Sequence, residues 1–277
     1  MLPVGATVFS YVHHGKERLF TSSKSSVKTS DKAAIRGGIP ICWPIFGPPD
    51  AQASDGLYAK LKQHGFARTS VWQYSEQEST LTDEADTAFF HLESTQDTLD
   101  LFDRKFKLVY EVQLRDSALV VKLHVKVPQD GQTLPFQALL HSYLRLPAGI
   151  KPARVRVAPL KGLTLRDKVQ GGAESRETRD VVEVQGPNGE VDRVYLQADD
   201  NLKITYEGVD GEMSIKKNNL ADVVLWNPGP DKGATIADME KNGADKYICL
   251  EPGQVGSFVE LAPGSTWTGS VELSFTD

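Results

Sequence analysis

Two cysteines in 277 residues, Cys42 and Cys249, are too few for a disulfide framework and too far apart for a paired Cys/His metal site. Each lies in an apolar stretch, Ile41-Cys42-Trp43 and Ile248-Cys249-Leu250, where cysteine behaves as a small buried hydrophobe. No apolar run is long enough to span a bilayer, and the first residues lack the basic-then-apolar order of a secretory signal. A membrane partner is therefore not expected, and a cytoplasmic location is. Positive charge is also scarce: 31 Lys and Arg face 37 Asp and Glu, a net charge of −6. Nucleic acid, whose phosphates the average field would repel, is not an expected partner. A small anion stays possible, since it needs only a few aimed arginines. Missing too are the glycine loop of nucleotide-binding proteins and the Gly-x-Ser-x-Gly nucleophile elbow. His13-His14 are adjacent rather than a helical turn apart, and read as a turn before Gly15 rather than a zinc motif.

Long amphipathic helices are absent as well, and period-two alternation takes their place. Phe106, Leu108, Tyr110, Val112 and Leu114 fall on one face of a run that ends at Arg115-Asp116-Ser117. Val121, Leu123, Val125 and Val127 alternate on the way back, which predicts an antiparallel hairpin. Further strands are predicted at Ala6–Tyr11, Ala88–Glu93, Leu139–Leu146, Val194–Gln197, Leu202–Tyr206, Val223–Trp226, Tyr247–Leu250 and Trp267–Phe275. Turn-formers such as Gly186-Pro187-Asn188-Gly189 and Pro263-Gly264 separate them. Short strands between turns, without alternating helices, indicate an all-β protein, a large antiparallel β-sandwich. Ser22–Asp31 and Lys168–Asp180 are polar, weak in strand signal, and read as surface loops. Neither needs to divide the chain, so residues 1–277 are expected to form one domain.

A few segments carry chemistry. Arg36 stands beside Gly37-Gly38, where missing side chains would let a ligand approach the backbone and a planar multi-donor cation could meet an anion. Gln63 and His64 offer neutral donors and acceptors suited to hydroxyls, and Arg68 adds a second fixed charge. Alternation over Leu140–Leu146 puts Leu140, Leu144 and Leu146 on one face with Ser142, and His141, Tyr143 and Arg145 on the other. His141 thus points to a surface that could line a pocket, although a lone strand histidine is commonly structural. Glu251 ends an apolar run before Pro252-Gly253, where partial desolvation would raise its basicity. Asp192 could accept hydrogen bonds from hydroxyls.

In this order the segments Arg36–Pro40, Phe46-Gly47, Gln63–Arg68, His141–Leu144, Asp192–Tyr195, Val224–Pro228 and Glu251–Gly253 resemble the aldose 1-epimerase superfamily, and within it the hexose-6-phosphate mutarotase branch. The resemblance runs over nearly the whole chain. Gly5-Ala6-Thr7-Val8 looks like the family's second strand, so the family's additional N-terminal strand is not expected here. Lys168–Asp180 matches none of its motifs. The resemblance implies a galactose mutarotase-like sandwich with a site on a concave sheet face, and neither metal nor organic cofactor. It makes His141 the general acid, Glu251 the general base, and Arg36, Gln63, His64, Arg68 and Asp192 substrate contacts. Together these imply a small-molecule sugar phosphate as partner, glucose 6-phosphate above all, and we expect a monomer. His141 as imidazolium and Glu251 as carboxylate would open and reclose the hemiacetal ring, with a bell-shaped pH profile. A non-catalytic carbohydrate-binding or metabolite-sensing protein on the same fold, and an epimerase for unphosphorylated aldoses, remain as alternatives.

Overall fold

A computed structural model describes residues 1, 3–25, 34–49 and 56–276. Two large antiparallel sheets make up most of the fold, beside the small ribbon of Val12–His13 and Lys16–Glu17. The nine-stranded sheet runs, edge to edge, through Val182–Glu183, Val155–Ala158, Asn201–Tyr206, Val209–Asn218, Thr266–Thr276, Ala118–Lys126, Lys107–Arg115, Asp86–Glu93 and Gln73–Leu81. The second runs through Glu174–Arg176, Thr164–Asp167, Val191–Tyr195, Asp222–Asn227, Tyr247–Leu261, Leu134–Leu140 and Ile41–Cys42, with Tyr143–Arg145 also paired to Tyr247–Leu261. The only α-helices among the described residues are Gln96–Leu101 and Gly229–Thr235, each too short to cross a membrane. Thr95 caps the first by accepting from Thr98 N.

Alternation explains how the sheets pack. Leu108, Tyr110, Val121, Leu123 and Leu273 from the first sheet join Leu140, Leu144, Val223, Leu225, Ile248 and Leu250 from the second in one buried core. The next residues along those second-sheet strands, Val224, Trp226, Cys249 and Glu251, face the other way. Two smaller apolar clusters cover that outer face: Phe20, Tyr143, Tyr247 and Cys249 in one, Cys42, Leu139, Val194 and Val224 in the other. Both cysteines are free and fully buried.

The hairpin predicted around Asp116-Ser117 forms with Arg115 paired to Ala118, although Leu114 at its tip is exposed. Four expectations need correcting. Ala6–Tyr11 is no strand: positive φ at Gly5 and Ala6 breaks the run, and Val4 and Val8 make only isolated bridges to Val71 and Ile39. Leu139–Leu146 is two strands, because Ser142 N turns back onto Leu140 O at 2.9 Å while His141 N and Tyr143 N donate to Pro40 O and Gly38 O. Tyr247–Leu250 does not stop at Glu251 but continues as strand to Leu261. Lys168–Asp180 is not all surface loop: it holds the 3-10 turn Lys168–Gln170, the strand Glu174–Arg176 and the buried Glu177. Of the loop expected over Ser22–Asp31, residues 26–31 lie outside the described residues.

Candidate active site

A cleft of about 370 Å³ opens on the outer face of the second sheet. Arg36, Gln63, His64, Arg68, His141, Asp192 and Glu251, the residues singled out from the sequence, all line it. Phe46, Lys168, Val224, Trp226 and Lys232 line it with them.

Strand register builds the centre of the cleft. Val224 is the cross-strand partner of Glu251, Trp226 of Cys249, and Asp192 of Trp226 on the next strand. On the opposite side of Tyr247–Leu261, Leu139 pairs with Gly253 and Tyr143 with Cys249. The stretch between those two pairs carries no ladder bonds, and it sets His141 across from Glu251. Pro252, which has no N–H to give, falls where that ladder is open. His141 Nδ1 stands 3.4 Å from Glu251 Oε1, with side chains 10% and 1% exposed. Neither His141 Nδ1 nor Glu251 Oε2 has a hydrogen-bond partner, so the two carry unspent capacity inside the protein. Tyr143 stacks flat on the imidazole at 4.7 Å between centroids, and Trp226 and His64 meet it edge-on at 5.8 Å and 5.9 Å.

This setting changes the expected charge state. Burial pushes the pKa of His141 well below 6.5, helped by the neighbouring His64 ring and by the charges of Arg68 and Arg36. Burial likewise pushes Glu251 well above 4.5, with Asp192 adding to it and Lys168 opposing. Desolvation thus favours a neutral imidazole beside a protonated carboxyl, rather than the imidazolium–carboxylate pair expected from the sequence.

His64 is held neutral too. Its pKa falls to about 3 through burial, then through Arg68, Lys168 and Arg36. Its Nδ1 accepts from Gly47 N at 3.1 Å, which puts its single proton on Nε2. Gln63 Nε2 lies 3.2 Å from that Nε2, and turning the amide over, which exchanges its N and O, gives the His64 proton a carbonyl oxygen to donate to. Gly65 permits this hinge: its φ is +69°, and a Cβ there would sit 2.1 Å from Trp43 O.

Arg36 donates through Nε to Asp238 Oδ1 at 3.1 Å and through Nη1 to Tyr143 Oη at 3.3 Å, leaving the rest of its fork for a ligand. Although burial acts against its charge, Tyr143 and Asp238 raise its pKa further, so it stays charged. The Gly37-Gly38 pair beside it does not open the backbone to a ligand. A Cβ on Gly37 would meet Phe20 O at 2.3 Å, and one on Gly38 would meet Val8 O at 2.3 Å, so both glycines serve close backbone packing. Arg68 is held by an Nη2 bond to Gln63 O of 2.8 Å.

Lys168, Lys232 and Asp238 were not singled out from the sequence. Lys168 Nζ lies 3.6 Å from Asp192 Oδ1 and 4.2 Å from the centroid of the Phe46 ring. Burial raises the pKa of Asp192, and Lys168 pulls against that rise. Lys232 pairs with Glu190. The cleft therefore collects four cationic side chains around two carboxyl groups in a chain of net charge −6. The ligand atoms of His141, Cys249 and Glu251 fall within 4.8 Å of one another, the one set of metal-type donors this close among the described residues. Burial, then Glu251, keeps the Cys249 thiol protonated, which disfavours it as a ligand.

A family model for aldose 1-epimerase matches residues 1–274. A candidate glucose-6-phosphate 1-epimerase from Cenchrus ciliaris is 29% identical over 267 residues, 94% of this chain and 76% of that protein. One from Escherichia coli K12 is 29% identical over 248 residues, 89% and 76% of the two chains. Among solved structures, a candidate mutarotase from Salmonella typhimurium superimposes with a TM-score of 0.85 at 25% identity, covering 99% of this chain and 85% of that one. A galactose mutarotase-like protein from Lactobacillus casei, at 18% identity and TM-score 0.72, covers 100% and 96% and shares the fold.

Proposed function

The chain belongs to the aldose 1-epimerase family, and on that premise we propose that it interconverts the α and β anomers of a hexose 6-phosphate, glucose 6-phosphate first among them. The observation that carries this reading is the buried His141–Glu251 pair, facing at 3.4 Å in a cleft that also gathers Arg36, Arg68, Lys168 and Lys232. A sugar ring over the pair with its phosphate among the cations would use both halves of the site.

The neutral pair can run the reaction without separating charge. With the carboxyl proton of Glu251 facing Nδ1, His141 holds its own proton on Nε2, the nitrogen left for substrate. As the ring opens, Nε2–H passes its proton to the ring oxygen, Nδ1 takes the proton of Glu251, and Glu251 takes the proton of the O1 hydroxyl. The bond from C1 to the ring oxygen breaks as the C1=O1 carbonyl forms. Both groups end neutral, as they began. Rotation about C1–C2 presents the other carbonyl face, and the same transfers in reverse close the ring. Acid–base help of this kind is typically worth ~10²–10⁴ in rate. Neutral His64, Gln63 and Asp192 are suited to hold sugar hydroxyls.

The test is catalysed anomer exchange of glucose 6-phosphate by NMR, run beside free glucose and galactose and mannose 6-phosphates. Faster exchange of glucose 6-phosphate than of glucose supports the reading. Equal exchange would assign an epimerase for free aldoses, and none at all a binding protein.

A further inference from the structure

Two dipeptides lie side by side at one end of the cleft floor, Asp167-Lys168 and Asp192-Arg193. Asp167 is the cross-strand partner of Arg193, and Arg193 Nε donates to Asp167 Oδ2 at 2.9 Å. The two side chains of this pair are only 8% and 10% exposed. The same carboxylate caps the turn Lys168–Gln170, accepting from Val169 N and from Gln170 Nε2, each at 3.1 Å. The buried Asp167–Arg193 pair thereby fixes both the turn that carries Lys168 and the strand that carries Asp192. Their neighbours in sequence emerge into the cleft, where Lys168 Nζ meets Asp192 Oδ1 at 3.6 Å under the face of Phe46. That distance is long for a hydrogen bond, so the ammonium stands in Coulombic and cation–π contact with its donors still to give.

We propose that Lys168 selects for the phosphate group: Asp192 and Phe46 hold it in the empty cleft, and it moves to the substrate's phosphate, releasing Asp192 for a sugar hydroxyl. The inference rests on the proposed function and deepens it. A phosphate dianion offers the ammonium more negative charge and more acceptors than one carboxylate does. The Lys168 side chain, 40% exposed on a flexible four-carbon stem, has the freedom to follow it. An unphosphorylated sugar presents no such anion, so Lys168 stays on Asp192 and keeps that carboxylate occupied. Discrimination then arises from both attraction and withholding.

The experiment compares Lys168→Met, which keeps the length and loses the charge, with Lys168→Arg. For Lys168→Met, kcat/KM for glucose 6-phosphate is expected to fall about 10- to 100-fold, as loss of one charge-assisted contact predicts. Its kcat/KM for free glucose should hold or rise. Inorganic phosphate, used as a competitive inhibitor, should weaken by the same factor, and Lys168→Arg should restore most of both. Equal losses for the two sugars, or an unchanged phosphate inhibition constant, would overturn the proposal. Wild-type protein that prefers glucose 6-phosphate beside a Lys168→Met variant that keeps the preference would sink this proposal alone. Wild-type protein without any preference would remove the phosphate reading and this inference with it.

Discussion

His141 and Glu251 face each other where the ladder along the strand Tyr247–Leu261 is open between the pairs Gly253–Leu139 and Cys249–Tyr143, with 3.4 Å between Nδ1 and Oε1. Ladder bonds above and below fix the register, so the pair is aligned by backbone rather than by a flexible loop. The gap brings the side chains close without tying up their polar atoms. Alignment and unspent hydrogen-bonding capacity are what a proton relay needs.

The pH dependence follows from the proton on Glu251. The active state holds one titrating proton, on the carboxyl of Glu251, beside a neutral imidazole that keeps its Nε2–H. Because burial pushes His141 well below 6.5, the limb where a second proton enters lies on the acid side of 6.5. Because Glu251 is pushed well above 4.5, the limb where the carboxyl proton leaves lies on the basic side of 4.5. The rate profile of kcat/KM should be a bell whose acid limb lies below 6.5 and whose basic limb lies above 4.5. A rate that tracks a lone imidazole titrating near 6.5 would contradict it.

Arg36 and Arg68 bring fixed positive charge to the cleft from separate segments. The double variant Arg36→Ala, Arg68→Ala should lose about 10²-fold or more in kcat/KM for glucose 6-phosphate. Free glucose should change far less, and steady-state kinetics on both sugars read the split.

Glu177 is a structural carboxylate whose contribution to stability depends on pH. Burial acts to raise its pKa, but side-chain and backbone bonds and charge from Arg179, with the Tyr195 hydroxyl, outweigh that and hold it at about 2 against an ordinary 4.5. Its contribution is present above 4.5 and lost as pH falls towards about 2, since the unfolded chain takes up the proton first. Solvent reaches the pair from the side of Arg179, whose side chain is 42% exposed, so the effect on stability is smaller than the full shift would give. Glu177→Gln should be less stable at pH 7 and show a flatter loss of denaturation midpoint between about pH 5 and 3.

Gly65 and Gly149 both have positive φ, +69° and +79°, but only Gly65 has backbone against it. Gly65→Ala should cost about 2–4 kcal/mol from strain and overlap with Trp43 O, and disturb His64 beside it. Gly149→Ala, with open space around it, should cost about 1–2 kcal/mol. Thermal unfolding of both variants checks the difference.

How far this site was legible in the sequence depended on the range of the interactions involved. Half-buried strands repeat every second residue, so the face of His141 could be read from Leu140, Leu144 and Leu146. The kink at Ser142 could not, because the alternating pattern runs straight through it while the backbone turns away to Pro40 and Gly38. Pro252-Gly253 reads as a turn, yet pairing on both flanks carries the strand through it and buries Glu251 in the interior of the sheet. That burial acts against the charge state expected for the pair. Lys168 looked like part of a polar loop because its position depends on Asp167 meeting Arg193, a contact between distant residues. Gly37-Gly38 carried a true signal of close approach, and the approaching group is backbone.

The most direct measurement is α/β exchange of glucose 6-phosphate by NMR with wild-type protein, His141→Asn and Glu251→Gln, each shown to be folded by circular dichroism. The relay predicts a loss of ~10²–10⁴ in kcat for each variant, with KM changing much less. Exchange at the wild-type rate in both folded variants would contradict the account.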